Sequence, residues 1–169
     1  MRRRDWFAAY AKAIAERDLP DIANVERAAD LPGFLRMLAA LNGQPVNATE
    51  LGGRLQIDRK TAQRYLALAE QILVVRTLPA WSGNAVKRLT KAPKSHFVDS
   101  GLAPMLARVT AAHLGADKTP PGHLLESFVL AELDKQCGRS EGRYFRDLNG
   151  SEVPIVVEDG SGRVAGIEV

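Results

Sequence analysis

Arg59, Lys60, Gln63 and Arg64 stand close together in the chain, just after Gln56-Ile57-Asp58. If Arg59 opens a helix, these side chains fall in its first two turns. An α-helix fits the DNA major groove, and residues near its start reach base edges there. Arg and Gln can make paired hydrogen bonds to guanine and adenine. Downstream, Lys87, Arg88, Lys91 and Lys94 have the chemistry to hold phosphates, which orient a protein without reading sequence. The window 54–94 holds nine Lys and Arg against two acids, Asp58 and Glu70. All eight residues are therefore candidate DNA contacts, with duplex DNA as the expected partner.

A second set is acidic. Glu126 falls in a helical pattern, Glu152 at the start of a strand pattern, and Glu168 in Ile167-Glu168-Val169. Nucleases of the PD-(D/E)xK type hold a divalent ion on such an array, because a hard cation needs carboxylate oxygens and its bound water needs activation. That chemistry requires an acid pair and a lysine. Here Pro154 stands where an acid is wanted, and no residue follows Val169. The three glutamates read as a degenerate array, with no catalytic residue and no metal site. His96, His113 and His123 have no metal-ligand spacing and read as surface or turn residues. Cys137, the only cysteine, reads as a small buried hydrophobe in a reducing cytoplasm. No G-x-x-x-x-G-K-[ST] run occurs, so no nucleotide cofactor is expected.

The elements that must position these residues follow from periodicity. Trp6, Phe7, Tyr10 and Ile14 line one face of a helix over 4–18, a face that must be buried. A short helix over 21–29 follows. Pro32 opens another, with Phe34, Leu35, Leu38 and Leu41 as its stripe and Asn42-Gly43 as its end. Asn47 caps the next helix, with Glu50 placed to close a capping box. Asp58 caps the basic helix, whose stripe is Ala62, Leu66, Ala69 and Ile72, and Ile57 plugs the turn between the two. Strands are expected over 72–78 and 95–98, giving a winged helix-turn-helix with a basic tip. A short helix over 101–108 and an amphipathic one over 123–135, with Leu124, Leu125, Phe128, Val129 and Leu133 on one face, come next. Strands over 143–146, 153–158 and 164–169 follow, with turns at Asn149-Gly150 and Asp159-Gly160.

Composition agrees with a folded chain. It has 169 residues, 46% of them apolar and 25% charged. No apolar run approaches the roughly 18 residues of a membrane span, so no membrane partner is expected. Charge is polarised. Residues 1–98 hold 16 Lys and Arg against 9 Asp and Glu, or +7, whereas 99–169 hold 7 against 11, or −4. The basic excess accompanies the candidate DNA contacts.

Several blocks also carry a resemblance. They are Tyr10 to Asp18, Thr61 to Leu66, Lys87 to Lys94, Phe97 to Ala103, Gly122 to Glu132, Gly150 to Val153, and Gly166 to Val169. Together they resemble the C-terminal region, domain of unknown function 4143, of a prokaryotic AAA+-type ATPase family. The resemblance implies an N-terminal P-loop ATPase domain that this chain lacks, a central winged helix, and a restriction-endonuclease-like end cut short before its lysine. The expected class is α+β. Residues 1–30 form a helical segment linking to the missing ATPase domain, 31–98 a winged helix-turn-helix, and 99–169 a partial nuclease-like α/β unit. The expected function is a non-catalytic DNA-binding module of such a family, present as a fragment. The alternative is an assembly module docking on an ATPase partner through the Trp6/Phe7/Tyr10 face. A metal-dependent nuclease is the least favoured reading.

Overall fold

The computed structural model describes residues 3–14, 30–83, 91–109, 119–137, 142–147 and 149–169. The expected helix over 21–29, Lys87, Arg88, His113 and the Cys137 side chain lie outside the described residues. What is described is a mixed α+β chain with two small antiparallel sheets.

Helix α1 (Arg3–Ala13) buries Phe7 and Ala11, and Ile14 just beyond it. Trp6 and Tyr10 were expected on the same buried face but are 49% and 39% exposed. They sit one position, about 100°, before the 7/11/14 stripe, and they stack on each other with centroids 5.2 Å apart. Helix α2 (Leu31–Ala40) starts with Pro32 in its first turn and buries Leu31, Phe34, Leu35, Leu38 and Ala39. The chain then turns at Gly43, where φ is +75°.

Helix α3 (Ala48–Leu55) is capped by Asn47, whose side chain accepts the Thr49 N–H at 2.8 Å. Glu50 pairs with Arg54 at 2.7 Å on the exposed side. Helix α4 (Arg59–Gln71) is capped by Asp58, which accepts the Thr61 N–H at 3.0 Å. Hydrogen bonds from the Thr61 side chain and backbone hold the Asp58 carboxyl below its usual range. The buried stripe of α4 is Ala62, Tyr65, Leu68 and Ala69. The expected stripe is thus rotated, with Leu66 and Ile72 only half-buried. Tyr65 meets Phe34 edge-on at 5.4 Å.

Helix α4 ends in a Schellman motif. Leu73 N–H donates to Glu70 O at 3.0 Å and Val74 N–H to Ala69 O at 2.9 Å. That closure puts Leu73 at φ +60°, so the strand starts later than the apolar run 72–75 suggests. Strand β1 (Val75–Leu78) pairs antiparallel with β2 (Lys94–Phe97). The other edge of β2 is taken by the extended segment 43–46. Gly43 N–H donates to Ser95 O at 2.7 Å, Ser95 N–H to Gln44 O at 3.1 Å, and Val46 N–H to Pro93 O at 2.8 Å. All four β2 residues are buried.

Helix α5 (Leu102–Leu106) packs against α1 and α2. Helix α6 (Thr119–Cys137) leads into a meander of β3 (Arg143–Arg146), β4 (Glu152–Glu158) and β5 (Val164–Ile167). The β3–β4 register shifts between Arg143 and Phe145, opposite the segment of β4 that contains Pro154. A bulge tolerates a residue without an N–H. Of the expected apolar face of α6, Leu125 and Phe128 are exposed, and Leu130 is buried instead.

Two cores result. The larger joins α1 to α5 with Val74, Val75 and Phe97. The smaller holds Leu78, Ala80, Leu130, Tyr144 and Ile155. A parallel bridge between Ala80 and Tyr144 ties the sheets together. Among the described residues, no helix is long and apolar enough to cross a membrane.

Candidate functional site

The turn between α3 and α4 is tight because of local chemistry. Gln56 adopts φ +56°, and Ile57 N–H donates to Gly52 O at 3.0 Å. Ile57 is buried beneath the turn. The angle between the two helices is thereby set by backbone bonds and one apolar plug. Beyond the turn, Arg59, Lys60, Gln63 and Arg64 are all exposed on α4, opposite its buried stripe. The structure brings these four together as the spacing implied. Lys91 is exposed, and its ammonium donates to Arg146 O at 2.7 Å.

Lys94 is a correction. Read from sequence as a phosphate contact, it is 1% exposed and cannot meet a phosphate at the surface. Its ammonium donates to Glu126 Oε2 on α6 at 3.2 Å and forms a closer ion pair with Glu152 on β4. It also lies 5.5 Å from the centroid of the Tyr144 ring. Arg146 Nε stands 3.7 Å from the other Glu152 oxygen, so two acids meet two bases. The Tyr144 hydroxyl donates to Ala92 O at 2.6 Å, and burial pushes its pKa up. The helix and strand carboxylates expected to form a degenerate metal array thus hold a buried ammonium. Glu168, the third, is exposed beyond β5 and is not among the partners of Lys94. This cluster fastens β2 to both α6 and β4, and so joins the two sheets.

Beside Lys94 lies a second buried polar group that sequence reading missed. His96 was expected at a surface or turn but is 1% exposed. Its Nδ1 is 2.9 Å from Ser127 Oγ on α6. Ser127 Oγ also bonds to His123 O at 2.9 Å and accepts from Asn42 Nδ2 at 2.9 Å. Asn42 is oriented by the Phe97 N–H, which donates to its Oδ1 at 2.9 Å. No local signal marked them: His96 follows Lys94 and Ser95, Asn42 precedes Gly43-Gln44, and Ser127 follows Glu126, so each reads as part of a polar stretch.

Burial, with the positive charges of Lys94, His123 and Arg76 adding to it, lowers the His96 pKa from 6.5 to about 3. The unfolded chain therefore binds this proton as pH falls below 6.5, whereas the folded chain does so only near 3. Stability from this group is full above pH 6.5 and declines as pH falls toward 3. At about 1.4 kcal/mol per unit, the loss at pH 5 is about 2 kcal/mol. Urea unfolding at pH 7.5 and pH 5 measures it, and His96→Asn should flatten the difference. A wild-type chain equally stable at both values would contradict this account.

The comparisons with known proteins come to few. The model of a family described as Domain of unknown function (DUF8612) matches residues 1–113. Two relatives are the uncharacterized proteins Rv2008c of Mycobacterium tuberculosis and Mb2031c of Mycobacterium bovis. Each is 33% identical over 165 residues, covering 97% of this chain and 37% of the relative. The chain thus spans little more than a third of the length of the curated relatives it matches. No solved structure matches. The resemblance to domain of unknown function 4143 is corrected by these findings, since a different family model fits and neither relative is named as an AAA+ ATPase. Because the match covers well over half of its residues, the chain belongs to the family of unknown function DUF8612.

Proposed function

We propose that residues 31–98 form a winged helix-turn-helix that contacts duplex DNA through α4, without catalysis of its own. The observation that carries this reading is the exposed quartet Arg59, Lys60, Gln63 and Arg64 at the start of a helix whose far face is buried. The order of elements supports it: three helices, then β1 and β2, with segment 43–46 on the outer edge of β2. Helix α4 would enter the major groove.

Fluorescence anisotropy with a labelled duplex tests the proposal. Binding should weaken steeply with salt, the logarithmic slope growing by about 0.9 for each phosphate neutralised. Arg59→Ala with Arg64→Ala should lower affinity at least about tenfold, as lost charge-assisted contacts imply, while circular dichroism stays unchanged. No binding at low salt would refute it. A second reading, a protein-assembly module, is favoured by the exposed Trp6/Tyr10 stack on α1. Self-association abolished by Trp6→Ser, together with no salt-sensitive DNA binding, would favour that reading instead.

A further inference from the structure

A half-open cavity of about 320 Å³ lies between α1, α2 and α5. Its inner wall is apolar: Leu35 comes from α2, Met105 and Leu106 from α5, and two alanines from α1. Cations complete the lining. Each of the three elements adds one, Lys12 from α1, Arg36 from α2 and Arg108 from just past α5, and no carboxylate is among the residues that line the cavity. A dry cavity of about 150 Å³ already takes a benzene ring. This one therefore has room for an apolar body of about eight to ten carbons.

Two features set the cavity apart from a seam between helices. The first is charge without a partner. Lys12 has an interaction of its own, but no hydrogen bond or ion pair among the described residues uses the Arg36 or Arg108 guanidinium. Both arginines are exposed, so each can extend its head over the mouth while Leu35 lies buried at the floor. The second is the backbone at Arg108. Helix α5 closes as α4 does: Arg108 N–H donates to Met105 O at 3.2 Å and Val109 N–H to Pro104 O at 2.8 Å. That closure holds Arg108 at φ +57°. Glycine takes such a position without strain, and a residue with a Cβ does not. Backbone strain of this kind collects at ligand sites, and here it sets an arginine in the wall of the cavity.

We propose that this cavity binds a small amphiphilic anion: an aliphatic or aromatic body with a single anionic head, carboxylate or phosphate. The body fills the space against Leu35, Met105 and Leu106. The head takes charge-assisted hydrogen bonds from Arg36 and Arg108 at the mouth. A planar guanidinium suits either head, since both offer paired acceptor oxygens. None of the four polar residues of α4 lines the cavity, so the site does not rest on DNA binding.

Octanoate and octyl phosphate are the probes, with octanol as the body without a head and acetate as a head without a body. The whole chain has three methionines, and carbon-13 in their methyl groups gives the readout. At least one of the two anionic probes should shift the Met105 methyl signal at millimolar concentration, and the tighter of them names the head. Octanol should bind at least about tenfold more weakly, the worth of a hydrogen bond to a charged group, and acetate should shift nothing. Arg108→Gln should weaken the anionic probe by about tenfold and leave octanol unchanged. Arg108→Gly keeps the test open if that variant does not fold, because it removes the head contact while relieving the strain: it should be at least as stable as wild type in urea and lose the preference for the anion. No shift of Met105 with either anionic probe, octanol as tight as both, or anion binding unchanged in Arg108→Gln and Arg108→Gly would each overturn the proposal.

Discussion

Lys94→Met should destabilise the fold by about 3–5 kcal/mol, the usual result of breaking a buried ion pair from one side. Met preserves most of the volume, so the loss reports charge and not a cavity. The variant leaves Glu126 and Glu152 facing each other with no ammonium between them, and Glu126 is itself buried. For a chain of this length the loss corresponds to a fall in Tm of roughly 6–20 °C. Total stability is typically about 5–15 kcal/mol, so the variant sits near the edge of folding. Lys94→Met with Glu126→Gln should cost less than the sum of the two single changes, because the second removes a charge that the first orphaned. Urea unfolding of the four chains gives the coupling. The two roles considered for Lys94 separate cleanly here. A surface phosphate contact would lose DNA affinity at unchanged stability, whereas the buried pair loses stability first. A Lys94→Met chain within about 1 kcal/mol of wild type would remove the ion-pair account.

The same residue shows where sequence reading stops. Helix starts were legible because their signals are local: Asn47 and Asp58 cap helices that begin one residue later, and Pro32 lies in a first turn. The four polar residues of α4 were legible because one turn of helix fixes their face. Lys94 was not, because its partners lie 32 and 58 residues away and it follows a run of genuinely basic positions. His96 failed for a related reason. An edge or one-sided strand alternates buried and exposed residues, and a polar residue marks the wet face. Strand β2 has a neighbour on each edge and all four residues buried, so polarity there marks a satisfied interior group. The α1 face failed by about 100° of rotation, since aromatic content alone does not say which of two adjacent stripes meets the core. The family resemblance failed differently. Its blocks were short and scattered, and a different family model proved to fit residues 1–113.

Gly52→Ala and Gly53→Ala should change stability in opposite directions, although both glycines lie in the interior of α3. Helix propensity alone predicts a gain of about 0.8–1.0 kcal/mol at each. At Gly53 nothing lies within 4 Å of an added Cβ, so the gain should appear in full. At Gly52 the Cβ would stand 2.7 Å from the Ile57 carbonyl oxygen and 3.4 Å from the Asp58 carbonyl carbon. Both are backbone atoms and neither can rotate aside. Relief requires lifting the turn off the helix, which stretches the 3.0 Å bond from Ile57 N–H to Gly52 O and unseats Ile57 from the core. Overpacking of this kind costs about 1–3 kcal/mol, enough to reverse the propensity gain. The net expectation is a loss of up to about 2 kcal/mol at Gly52 against a gain at Gly53. The turn also sets the angle between α3 and α4, so if α4 contacts DNA as proposed, Gly52→Ala should weaken that binding by more than its stability loss explains, while Gly53→Ala leaves it unchanged. Paired urea unfolding and anisotropy measure both. If Gly52→Ala proves as stabilising as Gly53→Ala, the turn yields more easily than its backbone contacts imply, and the fixed angle between α3 and α4 loses its physical basis.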